Sequence, residues 1–436
     1  MLYGASQKLL GSITISPEII EGVKKEVKNI SSFKKKIEGY LDQKITDLVD
    51  VILSGAISIA SSDIHLEPQE DQARLRVRID GVLQDVLFFD LNIYKALISR
   101  LKLLSKIKLN ITDKPQDGRF TILLDESPIE IRASTLPAEY GESVVMRILN
   151  PKNLIGLEAL GLREDLLKIF EKEIKRPNGM IIVTGPTGSG KTTTLYAFLL
   201  KIQNPEIKII TIEDPIEYHL KGISQTQVAP EKGYDFGQGL RSIVRQDPDV
   251  ILVGEIRDLE TTKIALQASL TGHLVLSTLH TNDAAGTIPR LMDLGADPSS
   301  IAPAVNMAVA QRLVRKVCPK CSSLAKPTPK EFEEIKNGLK GLPKTVDIPD
   351  LDKNLKIPRI KGCGFCNNIG YKGRKGLFET FLIDDEMEKF ILTKPPVSSI
   401  RDLAIKKGMV TMYQSGLIDV AKGETTLEEV KRVVGE

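Results

Sequence analysis

The residues with the clearest chemistry lie between Gly185 and Thr192. Gly185-Pro186-Thr187-Gly188-Ser189-Gly190-Lys191-Thr192 fits the phosphate-loop pattern G-x-x-x-x-G-K-[ST], the Walker A loop. An apolar run precedes it and a helical segment, Thr193 to Lys201, follows, which is the context this loop requires. Glycines let backbone N–H groups turn inward around phosphate oxygens, and the helix N-terminus adds a favourable dipole. Lys191 is expected to reach the β- and γ-phosphates of ATP, and Thr192 to ligate Mg²⁺. Together with Thr193 these residues form the expected nucleotide-binding set. A chance glycine-rich loop is the competing reading, and the flanking strand and helix argue against it.

Hydrolysis needs acidic partners beside the phosphates. Asp249-Val-Ile-Leu-Val-Gly-Glu255 predicts a buried strand ending in a carboxylate. In open α/β sheets, ligands sit at the carboxyl ends of strands. Gly254 stands where many P-loop proteins carry a magnesium-binding Asp, which leaves Glu255 to orient or deprotonate the attacking water. A structural ion pair is the alternative role for it. A second strand, Ile207 to Ile212, ends in Glu213-Asp214-Pro215, with Glu217 beyond, and Glu213 is a second catalytic candidate. A third strand, Leu274 to Thr278, runs into His280-Thr281-Asn282-Asp283. His280 is placed where a γ-phosphate sensor is expected. His273 stays open between function and structure, and His65 and His219 read as structural.

The only four cysteines form two pairs, Cys318-Pro-Lys-Cys321 and Cys363-Gly-Phe-Cys366. Two-residue spacing lets both sulfurs of a pair face one ion, so four thiolates can close a tetrahedral site. Zinc in a structural role fits such an all-thiolate site best. Four free thiols are the alternative. The basic stretch between the pairs is expected to owe its order to that ion.

These side chains need elements to carry them. Residues 179–314 alternate strand and helix, with apolar runs at Ile181–Thr184, Ile207–Ile212, Val250–Val253 and Leu274–Thr278, which predicts a parallel α/β core. Residues 44–150 read as a small α+β domain. There RLRVRID (74–80) alternates ahead of an Asp80-Gly81 hairpin turn, a helix is expected over Tyr94 to Lys106, and strands over 120–124, 129–135 and 144–148. Residues 1–43 form an amino-terminal helical segment in which Ser16-Pro17 is a helix start and Ile20, Val23, Val27 and Ile30 recur at helical spacing. That segment packs on its own domain or docks a membrane partner. Residues 151–178 read as a linker, 315–375 as the tetracysteine metal-binding region, and 376–436 as a helical C-terminal subdomain.

Composition narrows the functional classes. The chain carries 60 Lys and Arg against 57 Asp and Glu, a net charge of +3, which argues against a nucleic-acid partner. No apolar run is long enough to cross a bilayer, and Val49 to Ala60 reads as a packed helix. The start MLYGASQKLL shows no signal peptide, so a cytoplasmic protein is expected.

In combination, the motifs resemble the secretion ATPase superfamily, in its type II secretion and type IV pilus assembly branch (GspE/PilB-like). The carriers are GPTGSGKTTTLY at 185–196, TIEDPIEY at 211–218, the atypical Walker B segment RQDPDVILVGEIRD at 245–258 and TGHLVLSTLHTNDA at 271–284. SSDIHLEP at 61–68, RIDGVL at 78–83, PQDGR at 115–119, GESVVMR at 141–147, the cysteine pairs and the GETTLEEV ending extend the match over residues 45 to 436. The resemblance implies a RecA-like P-loop core preceded by a small PAS-like α+β domain. It also implies a homo-hexameric motor that works on an inner-membrane platform protein and, indirectly, on pilin-like subunits. A membrane-anchored docking protein and a peripheral position at the inner-membrane face go with it. Arg132, in IEIRAST, and Arg147, in VVMRIL, are implied to bring positive charge to the ATP site. The branch usually carries a larger amino-terminal domain than the 43 residues found here. A nucleotide-gated scaffold with little turnover and a DNA-translocating ATPase are the competing functions.

Overall fold

The fold comes from a computed structural model, which describes residues 12–124 and 127–435. The first eleven residues, which include the whole stretch MLYGASQKLL read as lacking a signal peptide, lie outside the described residues. The chain divides into two compact units. The first comprises Met1–Asn153 together with Cys318–Cys321 and Lys361–Lys372. The second comprises Leu154–Val317, Ser322–Ile360 and Gly373–Glu436.

In the first unit, β1 (Ser12–Thr14) is followed by helices α1 (Pro17–Glu26), α2 (Ile30–Glu38) and α3 (Ile45–Ser58). Then come β2 (Asp63–Pro68), β3 (Ala73–Ile79), β4 (Val82–Phe89), α4 (Leu91–Leu104), β5 (Gln116–Leu124), β6 (Ser127–Ala138) and β7 (Gly141–Leu149). They build one seven-stranded sheet in the order β1-β5-β6-β7-β2-β3-β4. β3 and β4 pair Ile79 with Val82 across Asp80 (φ 49°) and Gly81 (φ 82°), the double left-handed turn that a right-twisted hairpin favours. α3 is the buried helix expected over 49–60, and Leu53 packs in one cluster with Phe33, Ile64, Leu75, Ile122 and Ile131. The amino-terminal helix starts at the expected cap, the Ser16 hydroxyl accepting from Ile19 N–H at 3.3 Å. It does not run through to Ile30. The Asn29 side chain accepts from Ser32 N–H and restarts the chain as α2, so the buried stripe is Ile19, Val23 and Val27.

After a 3-10 turn at Leu157–Leu160, the first α-helix of the second unit is α5 (Glu164–Glu173), inside the stretch read as a linker. Its apolar side is covered: Phe170 meets Phe198 and Phe378 edge-on at 5.4 and 6.0 Å between ring centres. The core then runs β8 (Gly179–Thr184), α6 (Lys191–Ile202), β9 (Ile209–Glu213), β10 (Ser224–Gln227), α7 (Phe236–Val244) and β11 (Val250–Val253). It continues through α8 (Leu259–Leu270), β12 (Leu274–Leu279), α9 (Thr287–Asp293), α10 (Pro298–Ala304) and β13 (Val305–Val317). The sheet order is β10-β9-β11-β12-β8-β13-β16, where β16 is Tyr371–Leu382, and the pairs from β10 through β13 are parallel. Every residue of β8, β11 and β12 is buried, as strands covered on both faces require. Parallel pairing puts the carboxyl ends of β9, β11, β12, β8 and β13 along one rim.

Two expectations for the carboxyl-terminal half change. Residues 322–360 hold β14 (Ser323–Ala325), α11 (Pro329–Gly338) and β15 (Ile357–Arg359). Ile335, Leu339 and Ile357 share an apolar core with Leu417, Ile418 and Val430, so this stretch has packing of its own to order it. The segment from 376 begins as strand β16 before turning helical as α12 (Asp385–Leu392), α13 (Val397–Lys406), α14 (Met412–Ala421) and α15 (Leu427–Val434). No helix among the described residues is long and apolar enough to cross a membrane.

Candidate active site

The phosphate loop bridges β8 and α6. Gly190 precedes α6 at φ 90°, and a Cβ on it would stand 2.8 Å from the Gln311 amide nitrogen. Gly185, at φ 145°, has no room either, since its Cβ would meet the Gln311 carbonyl oxygen at 2.5 Å. Only glycine fits both places, which leaves the loop amides free to face an anion. Among the described residues, Ser189 Oγ is buried without a hydrogen-bond partner, and Thr192 is exposed at the helix start. Lys191 Nζ donates to the loop's own carbonyls, Gly185 O at 2.8 Å and Pro186 O at 3.0 Å. Burial pulls the Lys191 pKa down, Glu255 pushes it up, and Arg312 pulls it down again.

Glu255 and His280 come together as the strand-end reading expects. Glu255 lies just past β11 and its side chain is 13% exposed. Its Oε2 is 3.6 Å from His280 Nε2, and its Oε1 is 2.5 Å from Arg257 Nη2. Gly254 has a steric reason for its identity: a Cβ there would approach Ile212 O and Glu213 Cα to 3.3 Å. The loop after β12 is tied to the phosphate loop through Thr184, whose hydroxyl donates to Leu279 O at 3.0 Å and accepts Thr281 N–H at 2.8 Å. On its far side the same loop is gripped by Glu379 of β16. That buried carboxylate accepts Ala284 N–H at 2.9 Å and Met412 N–H, at the start of α14, at 3.0 Å. Asp283 adds an ion pair to Arg401 of α13.

Glu213 sits differently. It is 3% exposed, and its oxygens accept from the Tyr196 hydroxyl, from Thr211 Oγ1 at 2.6 Å and from Gln225 Nε2 at 3.2 Å. The carboxylate therefore braces α6 against β9 and β10. His273 lies at the amino end of β12, the opposite rim from the phosphate loop, with Nδ1 3.0 Å from Ala268 O.

Arg132 and Arg147 belong to the first unit and face each other across β6 and β7. Arg132 Nε donates to Glu130 at 3.1 Å, and Arg147 Nε to Asp63 at 3.2 Å. Register extends this row to Arg119 on one side and, past Asp63, to Arg78 on the other. Directly opposed residues share a sheet face, so the four arginines line one face, with buried Asp63 between Arg147 and Arg78. Arg78 and Arg119 stand inside the RIDGVL and PQDGR motifs but were not singled out, although the alternation of β3 and β5 places them on that face.

The four cysteines converge within the first unit, all sulfurs lying within 4.8 Å of one another. Cys318–Cys363, Cys321–Cys366 and Cys363–Cys366 separate by 3.9, 3.7 and 3.8 Å. A tetrahedral ion with metal–sulfur bonds of about 2.3 Å requires edges of about 3.8 Å, so the donor set fits a zinc-like ion. Burial pushes the Cys366 thiol up, but N–H groups of Cys363 and Gly370, each 3.3 Å from its sulfur, outweigh this and bring it down to about 7. Asn367, in the second knuckle, accepts Ile30 N–H at 2.9 Å and so fastens the cluster to the first turn of α2.

Sequence comparison places this arrangement among known proteins. A family profile described as "Type II/IV secretion system protein" matches residues 40–432. The type II secretion system protein E of Xanthomonas campestris pv. campestris is 40% identical over 432 residues, spanning 99% of this chain and 73% of that protein. The type IV pilus assembly ATPase PilB of Myxococcus xanthus is 40% identical over 413 residues, 94% of this chain and 71% of that one. Among solved structures, the pilus retraction motor PilT with bound ADP superposes with a TM-score of 0.59 at 28% identity. It covers 87% of this chain and 95% of its own.

Proposed function

The chain belongs to the type II/IV secretion system protein family and is an ATPase, and from that premise we propose that it is the hexameric motor of a secretion or pilus-type assembly machine. The observation that carries the catalytic reading is the Glu255–His280 pair at the rim that also holds the phosphate loop. In this reading the amides of Gly185 to Gly190, with Lys191, Thr192 and Thr193, hold the phosphates of ATP. Thr192 would ligate Mg²⁺, which when bound would supply positive charge against the transferring phosphoryl group. Glu255 orients the attacking water and takes its proton, and His280 senses the terminal phosphate. Glu213 supports that rim through Tyr196 and Thr211. Arg132 and Arg147 deliver positive charge to a bound nucleotide, a contribution worth on the order of 10³–10⁵ in rate for such fingers.

Cys318, Cys321, Cys363 and Cys366 hold one structural Zn²⁺, whose bound form ties α2 to the knuckles. Alternating nucleotide states drive a platform protein at the inner-membrane face, to which the motor is peripherally bound from the cytoplasm, so that pilin-like subunits are added. The names of the two relatives quoted above support both a secretion and a pilus setting. The near balance of 60 basic and 57 acidic residues disfavours DNA translocation.

The test is recovery of partners. A tagged Glu255→Gln variant, stalled with ATP bound, is expressed in the native host and its membrane companions are identified. A platform protein with secretion-type pseudopilins makes this a secretion motor, and major pilins make it a pilus motor. Recovery of no membrane component would sink the assembly-machine reading.

A further inference from the structure

The carboxyl end of β13 contributes to the phosphate rim as well. Ala310 pairs with Thr184, the last residue of β8, so Gln311 and Arg312 emerge beside the start of the phosphate loop. Gln311 is part of the loop's wall, buried and bonded to Thr194 Oγ1 at 2.8 Å. Arg312, one residue on, is half-buried and has no carboxylate within ion-pair distance among the described residues. Its one hydrogen bond among those residues runs from Nη2 to the carbonyl oxygen of Asn282 at 3.4 Å, which carries the side chain from β13 toward the loop that follows His280. A guanidinium has five N–H donors and this one uses a single, long bond. Burial lowers its pKa, and its charge bears on Lys191, on which Glu255, 3.6 Å from His280, acts with the opposite sign. Half-desolvated cations gathered without enough negative charge mark a place completed by an anion.

We propose that Arg312 is a phosphate-binding residue of this chain's own site, contacting the terminal phosphate of ATP while it spans from β13 to Asn282. This rests on the assignment of Gly185 to Thr192 as the ATP site. Lys191 approaches as a point charge from the loop, whereas Arg312 offers a planar fork from the end of β13. Because Asn282 lies two residues past His280, the same side chain passes the arrival of the terminal phosphate to the histidine loop. ADP lacks that phosphate and leaves Arg312 where it is.

Calorimetric titration of Mg-ATP and Mg-ADP into the full chain tests this, using the Glu255→Gln background to prevent turnover. Arg312→Ala is expected to weaken ATP about tenfold or more while ADP changes by less than about threefold. Arg312→Lys, which keeps the charge and loses the fork, is expected to fall between, and its unchanged melting temperature reports an intact fold. Unchanged ATP affinity, or equal losses for ATP and ADP, overturns the proposal. Lys191→Ala separates the two levels. If it abolishes binding while Arg312→Ala does nothing, only this inference fails, and if it too changes nothing, the phosphate-loop reading fails and takes this inference with it.

Discussion

Glu213 and Glu255 both close a strand of the same sheet, and their surroundings divide the work between them. Glu255 keeps an oxygen toward His280 at the rim, whereas Glu213 accepts three protein donors behind it. A buried carboxylate that loses a donor costs more than a neutral hydrogen bond. Tyr196→Phe is therefore expected to destabilise the chain by about 1–3 kcal/mol in a urea titration, with nucleotide affinity unchanged. An unchanged midpoint would show that this network does not hold α6. At this scale the sequence was legible where one contiguous motif carries the chemistry, as in Gly185 to Thr192 and in Gly254-Glu255. It was not legible where a partner comes from a distant strand. Gln311 and Arg312 lie in VNMAVAQRLVRKV, whose buried Asn306 and Gln311 interrupt the apolar run that announces a central strand. Arg257 was likewise invisible as the partner of Glu255 until the turn after β11 was known.

Elements transmit what residues start. The histidine loop is held between Thr184 at the end of β8 and Glu379 of β16, and through Met412 and Arg401 it reaches α14 and α13. Glu379→Gln turns one of its two acceptor atoms into a donor facing a backbone N–H. It is expected to lower phosphate release about tenfold by misplacing His280 while nucleotide affinity stays within about twofold. Equal loss of affinity would indicate general unfolding of the site instead. A different test concerns α3, where burial raises the Asp50 pKa to about 6, against the partial opposition of a Ser16 N–H. A carboxyl whose folded pKa lies above its unfolded value favours folding while protonated and loses that stability as pH rises through the window between about 4 and 6. Asp50→Asn should thus be more stable than the parent at pH 7 by about 2 kcal/mol and equal to it near pH 4. Equal stabilities at both pH values would contradict the burial argument. Strands β3 to β9, β11 and β12 were readable from alternation and apolar runs, and α1, α3, α4 and α6 from helical spacing and context, whereas β2, β13 and β16 were not placed. The break between α1 and α2 was not, because Asn29 capping overrides a continuous helical spacing.

Over the whole molecule, the cysteine pairs show how chain order and unit membership part company. Cys318–Cys321 and Lys361–Lys372 join the first unit, while Ser322–Ile360 between them packs into the second. Pair spacing made the metal site legible, but nothing in C-x-x-C tells where the intervening residues go. Their placement follows from Ile335, Leu339 and Ile357 finding the apolar face of α14 and α15. Purified protein is expected to hold about one zinc per chain. Chelation is expected to raise hydrogen exchange at residues 29–32, where Asn367 holds Ile30 N–H, and to leave β8 to β12 protected. Metal-free protein with four titratable thiols and unchanged exchange would refute the structural ion. The central claim is that Glu255 and the phosphate loop form one ATP-hydrolysing site, and steady-state phosphate release measures it most directly. Against the parent chain, Glu255→Gln and Lys191→Ala are each expected to lower turnover by about a hundredfold or more, with Glu255→Gln still binding ATP. Turnover unchanged in both variants would contradict the account.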